Sequence, residues 1–455
     1  MEKVTLKLAE FIVKTKYDQI PRAVLEIVKL HILDTIGCIF AGSREKSADI
    51  ITRHISSLGN NGDSTILPFG LKASPTYAAL ANGIIGHTLD YDDYEVPSMA
   101  HPSVTVLPAV LALGEKVKAG GSECMEAYLA GMEVISKVGN GINPNHYDKG
   151  WHSTGTLGPL GAAAASSKLL KLDVDKTRTA LGISASMSSG MRGNFGTMTK
   201  PFHAGHASRN GVEAAILASL GFTADRNMLE HKLGYCSLFT EQEKFDLQKI
   251  VTDLGSPFSL FSPGVGKKPY PSCGATHSYL DGIFDIIRRY DIKADEVESI
   301  HCGISYRHPT MLIYPNPQTG LEGKFSLEFC LALALTDRAV RLEGFTDSKV
   351  KEPQIQNLIK RISKQVTKEA DSLGTYYPKA RTEVKMKDGK SYSCTIEKRK
   401  GSPANPLTAQ EVKEKFLDCA SLATSGEHAG SVADAVMDME NIHDISNLFS
   451  IIVKK

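Results

Sequence analysis

The stretch PRAVLEIVKLHILDTIGCIFAG, residues 21–42, is apolar on most of its circumference, and nothing else in the chain constrains the fold as strongly. A helix with no wet face must lie inside a layer of other helices. Pro21 behind Asp18 opens it and Gly42 closes it, the usual asymmetry of helix ends. Its neighbours in sequence supply the layer. Ser74 and Pro75 open SPTYAALANGIIGHTLD, Ser103 starts SVTVLPAVLALGEKVKAGG with a bend expected at Pro108, and Ser122 is the expected cap of SECMEAYLAGMEVISKVGNG. TGTLGPLGAAAASSKLL carries a run of small residues suited to close helix approach, and two further helical patterns end at Gly190 and Gly221.

After about residue 260 the character changes. FSPGVGKKPYPSCG is a Gly/Pro-rich connector, THSYLDGIFDIIRRY reads as a helix, and VESIHCGIS alternates like a half-buried strand. RTEVKMKDGKSYSCTIEKRKG places Asp388-Gly389 between two alternating arms, a hairpin signal. From Thr408 the pattern is helical again, opening with a capping box to Glu411. The expectation is a mainly α chain with a second, α+β domain: a helical domain over 1–262, rejoined by 405–455, and a smaller domain over 263–404.

With 455 residues, two or three domains are expected at roughly 100–200 residues each. Lys and Arg total 52 against 51 for Asp and Glu, so there is no global basic field of the kind nucleic-acid binding needs. No uninterrupted apolar stretch approaches the roughly 20 residues that span a bilayer. The eight cysteines are dispersed without a C-x-x-C pair, which argues against structural zinc or iron–sulfur centres and for a reducing compartment. The start MEKVTLKLAEFIVK lacks the apolar run of a signal peptide, and the expected location is the cytoplasm.

The chemistry-bearing residues gather at loop-to-helix junctions. HTLDYDDYEVPSMAHPS holds Asp90, Asp92 and Asp93 ahead of His101. Counted from Asp90 as an EF-hand loop it fails, with Glu95 sixth and His101 twelfth, and a magnesium site for a diphosphate would need an acid where Val96 stands. An aspartate-rich turn that only caps a helix is the plainer reading of this loop alone. Two other loops bear on it: KGWHSTGTLG with His152, and MRGNFGTMTKPFHAGH with Arg192, Lys200, His203 and His206. A third, KKPYPSCGATHSYLDG, adds Lys267, Lys268 and His277. Helix starts and cations favour an anion, so the set suits a carboxylate whose α-carbon loses a proton or carbon dioxide. His203 and His206 stand three apart, but no third metal ligand accompanies them, and no metal is expected.

LDYDDYEVPSMAHPS, WHSTGTLG, SGMRGNFGTMTKPFHAGHASRNG and KPYPSCGATHS, in that order, resemble the MmgE/PrpD family of 2-methylcitrate dehydratases, cis-aconitate decarboxylases and iminodisuccinate epimerases. The resemblance spans nearly the whole chain. It implies a homodimer with a large helical domain, an α+β lid and cofactor-independent chemistry in the cleft between them. It implies catalytic roles for Asp90, His101, His152, Lys200 and His277, and a lid tyrosine matched to Tyr314, with Tyr306 as competitor. Arg192, Lys268, Asp93 and His203 join Tyr314 as the expected substrate contacts. Tyr94 departs from the decarboxylase pattern, which has a small threonine there, so a different pocket shape is expected. The reaction expected is that of a lyase on a small di- or tricarboxylate, dehydration ranked before decarboxylation and epimerisation third. A carboxylate binder without turnover is the alternative from another class.

Overall fold

The apolar segment folds as the helix Arg22–Gly42 with Pro21 at its N-cap. In this computed structural model, which describes residues 3–59, 62–241, 244–372 and 379–453, Ile32, Leu33, Ile36 and Ile39 are at most 1% exposed. Each such side chain stabilises the fold by about 1.5–3 kcal/mol relative to leaving it wet. Around it pack the helices Pro75–His87, Ser103–Val117, Gly121–Ile142 and Ala409–Ser421. The last of these returns from the far end of the chain. Thr408 and Glu411 form its capping box, and Val412 and Phe416 enter the same core as Ile32.

The helices Ser153–Leu169 and Thr199–Ser219 complete the body, and small residues decide how closely they lie. A methyl group added at Gly83 would sit 2.6 Å from the Cα of Gly205, so two helix backbones touch there. Some local expectations shift. The helix expected to start at Ser122 begins at Gly121, where Glu123 accepts from the Gly120 N–H, and Pro108 lies inside an uninterrupted helix. The body is also not purely helical. A short antiparallel hairpin, β1 (Ser64–Ile66) with β2 (Leu71–Ala73), is pinned by Glu115, which accepts from Thr65, and by Asn82.

A second core takes its residues from 273–386 and, from the body, Phe195. It packs the helices His277–Tyr290 and Leu327–Asp337 on a four-stranded sheet in the order β4 (Ile362–Val366), β3 (Val297–Ile304), β5 (Ala380–Met386), β6 (Ser391–Ile396). β3 and β4 run parallel and need the long helical crossover between them, whereas β5 and β6 form the expected hairpin, Val384 opposite Tyr392. Gly389 at its turn has φ 88°, in the left-handed region that favours glycine. Among the described residues no helix is long and apolar enough to cross a membrane. Polar ties join the two cores: Arg307 to Asp148, Arg192 to Thr310, Tyr314 to the Phe195 carbonyl and Arg399 to Tyr94. The space they surround is the candidate site.

Candidate active site

Four helix starts converge on one cavity. His101 stands just ahead of the helix Ser103–Val117, His152 is the N-cap of Ser153–Leu169, and Lys200 is the second residue of Thr199–Ser219. Cys273, Gly274 and Ala275 face it from the turn that leads into His277–Tyr290. Asp90, His101, His152, Lys200 and Lys268 all line this space, with Tyr94, Tyr147, Phe195, Arg307, His308, Phe325 and Arg399. The positive ends of the helices and the cations make it a receptor for an anion.

Asp90 is the electrostatic centre. It adopts φ 51°, a left-handed turn that Asp tolerates better than most residues, directly after the Pro75–His87 helix. One carboxylate oxygen accepts from Lys200 Nζ at 2.8 Å and lies 3.0 Å from Lys268 Nζ, which also donates to the Asp90 carbonyl at 2.7 Å. Burial alone would raise its pKa, but the two ammonium groups prevail and hold it well below the usual carboxylate range. Asp92 is the carboxylate that holds the imidazoles. Its carboxylate lies 2.9 Å from His87 Nδ1 and 3.3 Å from His101 Nδ1.

The imidazoles sort themselves by these bonds. His101 Nδ1 lies 2.7 Å from the Asp93 carbonyl, an acceptor only, so that nitrogen carries a proton, and Nε2 faces Asp90, 3.7 Å away. His152 Nδ1 meets His203 Nδ1 at 3.0 Å, and among the described residues its buried Nε2 has no partner. Burial, with Lys200 adding to it, holds His152 far below the ordinary imidazole range and thus neutral. His87, which sequence reasoning passed over, accepts from Lys200 on Nε2 at 2.7 Å, and burial pushes its pKa down to about 3. Lys200 therefore donates to Asp90 and His87 and keeps one N–H free to turn toward the cavity.

Five expected site residues stand behind the wall rather than in it. Asp93 is fully buried between His31 at 3.0 Å and the N–H and hydroxyl of Ser103, where it anchors the start of a helix. His203 backs His152. His277, expected to enter from the lid, donates from Nε2 to the Ser272 carbonyl at 3.1 Å and is fully buried behind the Cys273 turn. Arg192, expected to hold a carboxylate, stacks 3.9 Å over Tyr147 and donates to the carbonyls of Tyr147 and Thr310, bridging body to lid. Tyr314 donates to the Phe195 carbonyl at 2.9 Å and packs on Gly196, while Tyr306 is half exposed under Arg307. The missed wall residues include Arg307, His308 and Arg399, none of which sits in a motif.

Among the described residues two groupings come within reach of a single ion: His87 with His101 and His152, and His87 with Asp90, Asp92 and His101. Lys200 already occupies His87 Nε2 and Asp92 already holds two imidazoles, so an ion there would have to displace the lysine. The donor set suits proton transfer better than metal binding.

Glu95 lines the same cavity, 2% exposed, with no well-formed hydrogen bond to either carboxyl oxygen. Burial pushes its pKa up to about 7, the Ser136 and Ser98 hydroxyls offsetting only part. A raised folded pKa contributes stability fully below the unfolded value near 4.5, and that contribution is lost as pH rises through about 7. Glu95→Gln should therefore flatten the fall in stability between those pH values by roughly 3 kcal/mol, read from urea midpoints. An unchanged slope would remove Glu95 as its source.

A cleft between a helical body and an α+β lid, walled by a doubly held carboxylate, two lysines and imidazoles at helix starts, defines an acid–base enzyme for a small anion. The chain belongs to the MmgE/PrpD family: the family's N-terminal domain matches residues 6–248 and its C-terminal domain residues 270–440. Cis-aconitate decarboxylase of Aspergillus terreus is 26% identical over 99% of this chain and 96% of its own length. The protein of the same name from Homo sapiens is 27% identical over 99% and 95%, and that of Mus musculus 27% over 98% and 93%.

Proposed function

We propose that the protein is a cofactor-independent lyase acting at the carbon α to a carboxylate of a small di- or tricarboxylic acid. One observation carries this reading: Lys200, Lys268 and Asp90 form a single charged knot beside His101 Nε2, 3.7 Å from Asp90, and the unpartnered Nε2 of His152 in the same cavity. The substrate's carboxylate meets the lysines and helix starts. His101 Nε2 removes the α-proton in a dehydration, and the hydroxyl leaves as water on protonation; in a decarboxylation the C–C bond breaks and the carbon is protonated from the same wall. Both routes pass through enolate-like charge, which the free N–H of Lys200 stabilises.

The names of the similar proteins favour loss of carbon dioxide over loss of water, with epimerisation third. The body is assigned to residues 1–262 and 405–455 and the lid to 263–404, in a cytoplasmic homodimer. His101 and His152 exchange protons, Lys200 and Lys268 hold charge, and Asp93, His203, His277, Arg192 and Tyr314 brace them from behind. The test is incubation with cis-aconitate, 2-methylcitrate and iminodisuccinate in deuterated water. Released carbon dioxide identifies a decarboxylase, water loss a dehydratase, and deuterium in recovered substrate without net turnover an epimerase. If no acid is consumed, exchanged or bound, the lyase reading fails.

A further inference from the structure

Among the described residues four cations line the cavity, and three of them face carboxylates. Lys200 and Lys268 face Asp90, and Arg307 clamps Asp148 through Nε at 3.1 Å and Nη2 at 2.8 Å. Arg399 is different. Among the described residues it makes no ion pair; its Nε donates to the Tyr94 hydroxyl at 3.0 Å and its Nη1 to the Gly274 carbonyl at 2.7 Å. Both acceptors are neutral, so the guanidinium is oriented without being neutralised, and Nη2 is left over. Asp281, the acid whose carboxyl feels Arg399, is already bonded to the Tyr270 hydroxyl at 2.9 Å and the Lys400 N–H at 2.7 Å.

The mounting is rigid. The guanidinium lies 4.4 Å above the Tyr94 ring, and the Tyr94 backbone is paired in both directions with Gly266 at 2.9 Å. A methyl group at Gly266 would stand 2.5 Å from that ring, so the tyrosine packs directly on the Gly266 backbone. The neighbouring His308 stays neutral, its pKa pushed down to about 3 by burial and then by Arg399. An arginine fixed by neutral acceptors at a cavity wall, with donors to spare, is built for a planar anion.

We propose that Arg399 binds a carboxylate remote from the reacting carbon, with Tyr94 fixing its guanidinium, so that the cleft selects acids carrying at least two carboxylates. The proposal rests on the lyase reading for its substrate and adds a specificity residue to it. Tyr94, the position where the sequence departs from the decarboxylase pattern, thereby acquires a task.

Calorimetric titration of the full chain with glutarate and butyrate, which differ by one carboxylate, separates the two claims. Wild type should bind glutarate at least about 30-fold more tightly than butyrate, and Arg399→Met should bring the ratio to within about threefold, because the lost contact is a charge-assisted one. Tyr94→Phe should give a ratio between these. Arg399→Lys, which keeps the charge and loses the fork, should also give an intermediate ratio, and it carries the test if the methionine variant fails to fold. A ratio in the Arg399 variants equal to that of wild type overturns the proposal and leaves the lyase reading standing. Wild type that binds neither acid also overturns the proposal, whereas the lyase reading falls only if no acid is consumed, exchanged or bound.

Discussion

Lys200→Met is expected to lower kcat about a thousandfold while the protein stays folded. Methionine keeps the length of the stem in a buried helix start, and Asp90 retains Lys268 at 3.0 Å, so no carboxylate is left without a counter-ion. What disappears is the group that joins Asp90 at 2.8 Å and His87 at 2.7 Å at the cavity wall. The check is steady-state kinetics on whichever acid the screen identifies, with a thermal melt to confirm folding. A loss under about tenfold would remove Lys200 from the chemistry.

Asp90→Asn should have the opposite balance, costing about 3–5 kcal/mol of stability besides the activity, because two buried ammonium groups lose their shared counter-charge. The pH dependence follows from the direction of the shift. A carboxylate held far below its ordinary pKa contributes stability that is present above the unfolded value and is lost only as pH falls through the folded one. The deficit of the variant should thus be the same at pH 6 and at pH 8, about neutrality on either side, and shrink only in strong acid. Urea midpoints across that range decide it. A deficit that grows from pH 6 to pH 8 would place the effect on another group, such as Glu95.

The helices and the hairpin were legible because their signals are local. Pro21 and Gly42, Thr408 with Glu411, and Asp388-Gly389 each determine their own few residues, and all stand where the sequence placed them. The return of the C-terminal helices was legible only as a renewed helical pattern opened by the Thr408–Glu411 capping box, and the β1–β2 hairpin was not legible, since three-residue strands show no period.

The site was half legible. Asp90, His101, His152, Lys200 and Lys268 share the cavity, whereas Asp93, His203, His277, Arg192 and Tyr314 support it from behind. In a turn no periodicity tells which of Asp90, Asp92 and Asp93 faces inward. Partners more than 100 positions apart, such as Arg192 with Thr310 or Tyr314 with Phe195, leave no mark on either segment. His87 did leave one: a histidine at the end of a buried helix, five residues before Asp92, needs a polar partner.

The returning helix Ala409–Ser421 reaches further than the core. Lys415 donates to the Tyr91 carbonyl at 2.7 Å, next to Asp90, and pairs with the buried Asp34 at 2.8 Å. The loop that presents Asp90 is therefore braced by a side chain 324 positions away. Closing that span carries a loop-closure entropy cost, so the turn takes its final shape only once the helix Ala409–Ser421 has docked.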